Sequence, residues 1–222
     1  IEDDFCSGRP AWEQTGATFT PDVHSYETMK IRLLNAGHQI IANAGEILSL
    51  PTISACMEHP AVNAFFQKVA REEIVPQVAA VPGMTPTDYV ALITRRFSNP
   101  KIKDTTRRVS FDGSARHTGF VLPLVRRALA EGWPTDGLAL VEAAWARMCE
   151  GTREDGTVIE PNDPFWGDLH VAAAASRHRP MAWLEQASVY GDLANDATFS
   201  ARFTFWLTLI WQDGMTAALA KY

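Results

Sequence analysis

The sequence predicts an all-α protein, a multi-helix bundle, and three observations carry that expectation. From Ser25 to the carboxy terminus apolar residues recur at helical spacing. Stretches that alternate apolar and polar residues as strands do are close to absent. Glycine and proline fall mostly between the periodic stretches, where they punctuate. At 222 residues, 46% hydrophobic and 21% charged, the chain is long enough to bury a real core and has the size of one large domain.

Residues 1–24 hold no period, because Gly8, Pro10, Gly16 and Pro21 interrupt them; they read as an irregular lead-in, with Trp12 and Phe19 as apolar anchors, lying on a helical body of residues 25–222. A long first helix runs from Ser25 until Pro51 ends it. A second covers Ala61 to Val81 with a kink at Pro76, and a third covers Thr85 to Phe97 with Thr85 or Thr87 as its cap. Ser98 to Pro123 reads as a long connection, since Asn99-Pro100, Asp112-Gly113-Ser114 and Gly119 mark turns in a charged stretch. Helices follow over Leu124–Glu131, Asp136–Glu150, Asp168–His178, Pro180–Leu193 and Asp196–Lys221. In the last of these, Phe203, Trp206, Leu207, Ile210 and Trp211 share a stripe that suits a core.

The net charge of −6, from 20 Lys+Arg against 26 Asp+Glu, gives no electrostatic reason to meet nucleic acid or an anionic membrane. No run of about 18 apolar residues is free of polar interruption, so no membrane span is expected. Cys6, Cys56 and Cys149 form no CxxC pair and argue for a reducing compartment, the cytoplasm, rather than for disulfides or a structural zinc. His24, His59, His117, His170 and His178 show no HxxxH or HExxH spacing, so no metal site is expected, and neither a GxSxG elbow nor a P-loop is present. The opening Ile1-Glu2-Asp3-Asp4-Phe5 has neither an initiator methionine nor a leader's pattern and reads as the later part of something longer.

The first helix carries the unusual chemistry. On a wheel of about 100° per residue, Thr28, Arg32, Gln39, Asn43 and Glu46 gather on one stripe, where solvent is expected, with Ala36 beside them. Lys30 falls opposite, among Leu34, Ile41 and Leu48, with His38 about 80° and Asn35 about 140° away. A buried ammonium without a partner is costly, so Lys30 either snorkels to water along its stem or works as a lysine of lowered pKa. Gly37 and Gly45 inside the helix suggest close approach by another backbone or a ligand.

Lys30-Ile31-Arg32-Leu33-Leu34-Asn35-Ala36-Gly37-His38 resembles the K-x4-N-x2-H signature of the polyol-specific long-chain dehydrogenases, the mannitol 2-dehydrogenase group with its arabinitol dehydrogenases and hexuronate reductases. The resemblance continues through Gly8-Arg9-Pro10-Ala11-Trp12, Arg96-Phe97-Ser98-Asn99-Pro100 and Asp112-Gly113-Ser114. It implies a helical bundle like the 6-phosphogluconate dehydrogenase-like carboxy-terminal domain, with an amino-terminal Rossmann domain that is absent from these residues and binds most of the cofactor, NAD or NADP. It implies a metal-independent oxidation of a polyol of mannitol or arabinitol type to a ketose, in a monomer. Lys30 is then the general base, Asn35 donates to the oxygen as it becomes an alkoxide, and His38 holds a substrate hydroxyl. Arg108 resembles the family's substrate-contacting arginine, although which member of Arg107-Arg108 faces the site stays open, and Asp112 and Arg116 read as structural ties. Glu27, about 60° from Lys30 on the wheel, is either a proton relay to solvent or a simple ion-pair partner. Two alternatives stand beside this: a fructuronate- or tagaturonate-type hexuronate reductase, whose carboxylate the arginines would pair with, and a non-catalytic helical binding module.

Overall fold

The computed structural model describes all 222 residues as an α-helical protein with no strands, only three isolated bridges. Asp22 begins the body: its carboxylate accepts from the Ser25 backbone N–H at 3.1 Å and starts α1 (Val23–Lys30). The helix then widens into a π-turn over Ile31–Asn35 and continues as α2 (Ala36–Ile47). Thr52 caps α3 (Ile53–Glu58), a helix that periodicity misses because it is so short. The helix expected over Ala61–Val81 is α4 (Pro60–Lys68), followed by a second π-turn at Val69–Ile74 and a 3-10 turn at Val75–Gln77. It stops earlier than expected because Pro76 has no N–H to continue the ladder, and the turn before it loosens. Thr85 accepts from the Asp88 N–H at 3.1 Å and caps α5 (Pro86–Phe97), as its position predicts.

The stretch Ser98–Pro123 is not the long connection that its turn residues suggest. It holds α6 (Thr106–Ser110), α7 (Gly113–Arg116) and a third π-turn at His117–Val121. Each piece is four or five residues long, too short to show a period, and Asp112 at φ 58° turns the chain between the first two. Next come α8 (Leu122–Glu131), α9 (Asp136–Met148) and α10 (Trp166–Ser176). The helix expected over Pro180–Leu193 is two short ones, α11 (Met181–Leu184) and α12 (Ala187–Tyr190), with a 3-10 turn after them. Gly214, at φ 87°, divides the last expected helix into α13 (Ala197–Asp213) and α14 (Met215–Lys221).

The core is built around α9, which is buried from Gly137 to Met148, with α13 laid along it through Phe203, Trp206, Leu207 and Ile210. The N-terminus of α9 rests on a buried carboxylate. Glu73 accepts from the backbone N–H groups of Gly137 at 2.6 Å and Leu138 at 2.9 Å and from the Tyr222 hydroxyl at 2.9 Å. Burial raises the pKa of Glu73, and the two backbone hydrogen bonds oppose the rise. Residues 1–20 close mainly on themselves: Thr20 N–H donates to Ile1 O, Arg9 pairs with Asp3 and Glu13, and its guanidinium lies 3.5 Å from the Phe19 ring centre. No residue before Met29 is buried.

Candidate functional site

The widened turn reorganises the first helix. A π-turn closes on the fifth residue instead of the fourth, so Lys30 and Asn35, five residues apart across Ile31–Asn35, come toward the same side. A regular wheel places them far apart.

Two expectations from that wheel are corrected. Lys30 is exposed, so this chain does not supply the burial expected for it. Gln39, Asn43 and Glu46, expected in solvent, are 1%, 1% and 4% exposed. The reason is twofold: the extra residue in the π-turn shifts every later position, and α2 is enclosed by α3 and α4, α6 and α9, so it has no solvent side. Close approach explains both helix glycines. A Cβ at Gly45 would stand 2.7 Å from Thr106 Cγ2 and closer still to Cys56 Sγ, and one at Gly37 would stand 3.1 Å from Phe66.

His38 stacks on Phe97, with ring centres 4.4 Å apart, and has no hydrogen bond to the protein. Burial pushes its pKa down to about 4; Asp104 opposes that shift, while the positive charges of Arg108, Arg116 and Lys30 add to it. The ring is therefore neutral near pH 7, with one nitrogen to donate and one to accept. It lines a pocket of about 240 Å³, together with Arg96, Asp104 and Arg108 and an apolar wall that includes Leu34 and Phe97.

Arg107 and Arg108 turn to different surroundings. Arg107 donates to the carbonyls of Glu160 and Pro161, both at 2.9 Å, and is a structural tie. Arg108 faces the pocket, held at 2.6 Å through Nε and Nη2 on the two carboxylate oxygens of Asp104, a fork that fixes its plane. Glu27 is exposed and pairs with His24 at 3.8 Å; it makes no ion pair with Lys30. Neither Lys30 nor Asn35 lines the pocket with His38. Three residues near the site had no site role in the sequence: Arg96, Asp104 and Arg116. The four-residue step from Asp104 to Arg108 was the available signal for one of them. Arg116 makes no side-chain ion pair or hydrogen bond, so it is not the tie expected, whereas Asp112 does bridge, donating its N–H to Asn162 O at 2.8 Å. No three His, Cys, Asp or Glu side chains group where they could hold a metal ion.

The model of the mannitol dehydrogenase C-terminal domain matches residues 22–211. This chain belongs to that family. Mannitol 2-dehydrogenase of Cereibacter sphaeroides is 47% identical over the whole chain, and that of Phaeosphaeria nodorum is 33% identical. The chain spans less than half the length of these relatives, 46% and 39%. Among solved structures, Pseudomonas fluorescens mannitol 2-dehydrogenase in ternary complex with NAD and D-mannitol superposes with a TM-score of 0.92 at 33% identity, over 99% of this chain and 45% of that one. A substrate-free D-sorbitol dehydrogenase superposes with a TM-score of 0.91 at 27% identity, over 98% of this chain and 45% of that one.

Proposed function

We propose that this chain is the catalytic and substrate-binding domain of an NAD(P)-dependent, metal-independent polyol 2-dehydrogenase, a cytoplasmic monomer that oxidises a mannitol- or arabinitol-type polyol to a ketose. The observation that carries the proposal is the placing of Lys30 and Asn35 across one π-turn, with His38 one turn on beside a pocket that Arg108 lines. Membership of the family supports it.

With no strand, the chain has no strand-turn-helix to cradle a dinucleotide's pyrophosphate, so its residues fit the alcohol side of the reaction and not the cofactor. We assign the cofactor to a separate Rossmann domain; when bound, the nicotinamide supplies the hydride acceptor. The chain's own residues handle the oxygen and its proton. Lys30 Nζ takes the hydroxyl proton, and Glu27, which makes no ion pair with Lys30, passes it on to solvent by way of water. The Asn35 amide donates to the oxygen as negative charge develops there. His38, neutral at working pH, and the Nη1 of Arg108, which its fork to Asp104 leaves free, hold neighbouring hydroxyls and fix the reacting carbon. A lysine base works best where water is kept away, and exposed Lys30 receives that shelter from the cofactor domain.

A second reading, a hexuronate reductase, is favoured by one observation: Arg96 lines the pocket and has no acidic partner, so it is available to a carboxylate. A panel of mannitol, sorbitol, arabinitol and fructuronate on the full-length enzyme separates the two. The role of the base is tested by Lys30→Ala in the same enzyme, where kcat/KM is expected to fall by about 100-fold or more. A value near wild type removes Lys30 from the mechanism.

A further inference from the structure

A chain of polar groups runs through the centre of the molecule, and none of them lines the substrate pocket. The Asn43 amide on α2 donates from Nδ2 to His117 Nε2 at 3.0 Å, which fixes the tautomer with the proton on Nδ1. His117 Nδ1 donates to Glu142 Oε1 on α9 at 2.7 Å. The Tyr190 hydroxyl donates to Glu142 Oε2, also at 2.7 Å, and accepts from Trp183 Nε1 at 2.5 Å. All five residues are 0–1% exposed, and the His117 ring lies flat on Trp145 with centres 4.3 Å apart.

Burying a carboxylate, an imidazole and an amide is costly compared with apolar side chains of like volume, so the arrangement calls for a role beyond filling space. Its position supplies one. His117 opens the π-turn His117–Val121, which packs directly on the π-turn Ile31–Asn35. The residue before it is Arg116, whose charge bears on His38. At the other end, Asn43 belongs to the helix that carries His38 and follows Asn35.

We propose that the Asn43–His117–Glu142–Tyr190 chain is a positioning strut that sets the separation of the two π-turns, and through it the separation of Asn35 and His38 from Arg116. The strut touches no substrate; it acts through the residues it holds. Hydrogen-bonded from link to link, with only the Asn43 Oδ1 unpartnered, and with the His117 ring held by both Glu142 and Trp145 of α9, it resists sliding of one wide turn past the other. This rests on the dehydrogenase reading given above, and two readouts keep the fates of the two proposals apart.

In the full-length enzyme, Asn43→Leu removes the hook to His117 at nearly constant volume. Hydrogen exchange is expected to accelerate together at the amides of Ile31–Asn35 and His117–Val121 and to stay unchanged in α13. The kcat/KM for the polyol is expected to fall about tenfold or more while the KM for the cofactor holds, because only the polyol's alignment is disturbed. Tyr190→Phe, which leaves the Asn43–His117–Glu142 links intact, serves if the first variant does not fold, with exchange shifted in the same two turns and about a threefold loss in kcat/KM. Unchanged exchange in the two turns overturns the strut. Faster exchange with unchanged kcat/KM overturns its positioning role. A wild-type enzyme inactive on every polyol sinks the dehydrogenase reading instead, and exchange still decides whether the strut exists.

Discussion

The His38 imidazole ties stability to pH in a way that can be worked out from its surroundings. The perturbation is acidification from pH 7 to 4.5. In the unfolded chain the ring titrates near 6.5; in the fold, burial against Phe97 lowers this to about 4, against the pull of Asp104 and with the push of Arg108, Arg116 and Lys30. Between those two values the unfolded state binds a proton and the folded state does not, so stability is full above pH 6.5 and is lost as pH falls toward 4. At 1.36 kcal/mol per pH unit the whole drop is worth about 3 kcal/mol, of which about 1 is lost by pH 5.5 and about 2.5 by pH 4.5. Glu73 contributes with the opposite sign, since its raised pKa favours the fold as pH falls. The assay is therefore a difference: urea unfolding followed by circular dichroism at pH 7 and 4.5 for wild type and for His38→Gln, which cannot titrate. The wild type is expected to lose about 2.5 kcal/mol more than the variant over this interval. Parallel pH profiles would refute the reasoning and mean that the ring reaches water in the fold.

Gly45→Ala puts a methyl group onto Thr106 and Cys56 and is expected to lower unfolding free energy by about 1–3 kcal/mol, read from a chemical denaturation curve. Glu73→Gln turns an acceptor into a donor facing a backbone N–H of α9, and a thermal melt is expected to show a loss of about 1–3 kcal/mol. In full-length enzyme, Glu27→Gln is expected to slow the proton-transfer step and change its solvent isotope effect; an unchanged rate removes the relay. Asp104→Asn frees the Arg108 fork and is expected to raise the polyol KM several-fold, with the cofactor KM unchanged in steady-state kinetics.

Local signals in the sequence hold up where the physics is local. Thr85 caps α5 because a hydroxyl three residues before a free N–H needs nothing else to find it. Gly45 marks a close approach because a helix interior tolerates glycine only for a reason. The helical class follows from periodicity in the same way. What the wheel misjudges depends on distant partners. Gln39 donates to Val109 O, Asn43 meets His117, and Glu46 accepts from Thr106 and Arg153, residues 60 to 107 positions away from the last of these. Polar residues whose partners lie at that range look like a solvent face until the fold brings those partners in. The three residues proposed for the site were legible as a spacing, and the pocket beside His38 was not, since Arg96 and Asp104 reach it from other elements. Nor does anything in Ile31–Asn35 advertise a π-turn.

That turn limits how the proposed chemistry can be moved to another scaffold. A protein engineer who copied lysine, asparagine and histidine at these intervals onto a straight helix would send the amide to the wrong flank, because the interval from Lys30 to Asn35 suits a rung of five. A straight-helix version would need one fewer residue between the first two groups, and a transplant that kept the native interval would have to carry the loosened rung with it. The motif is thus a statement about backbone winding as much as about side chains.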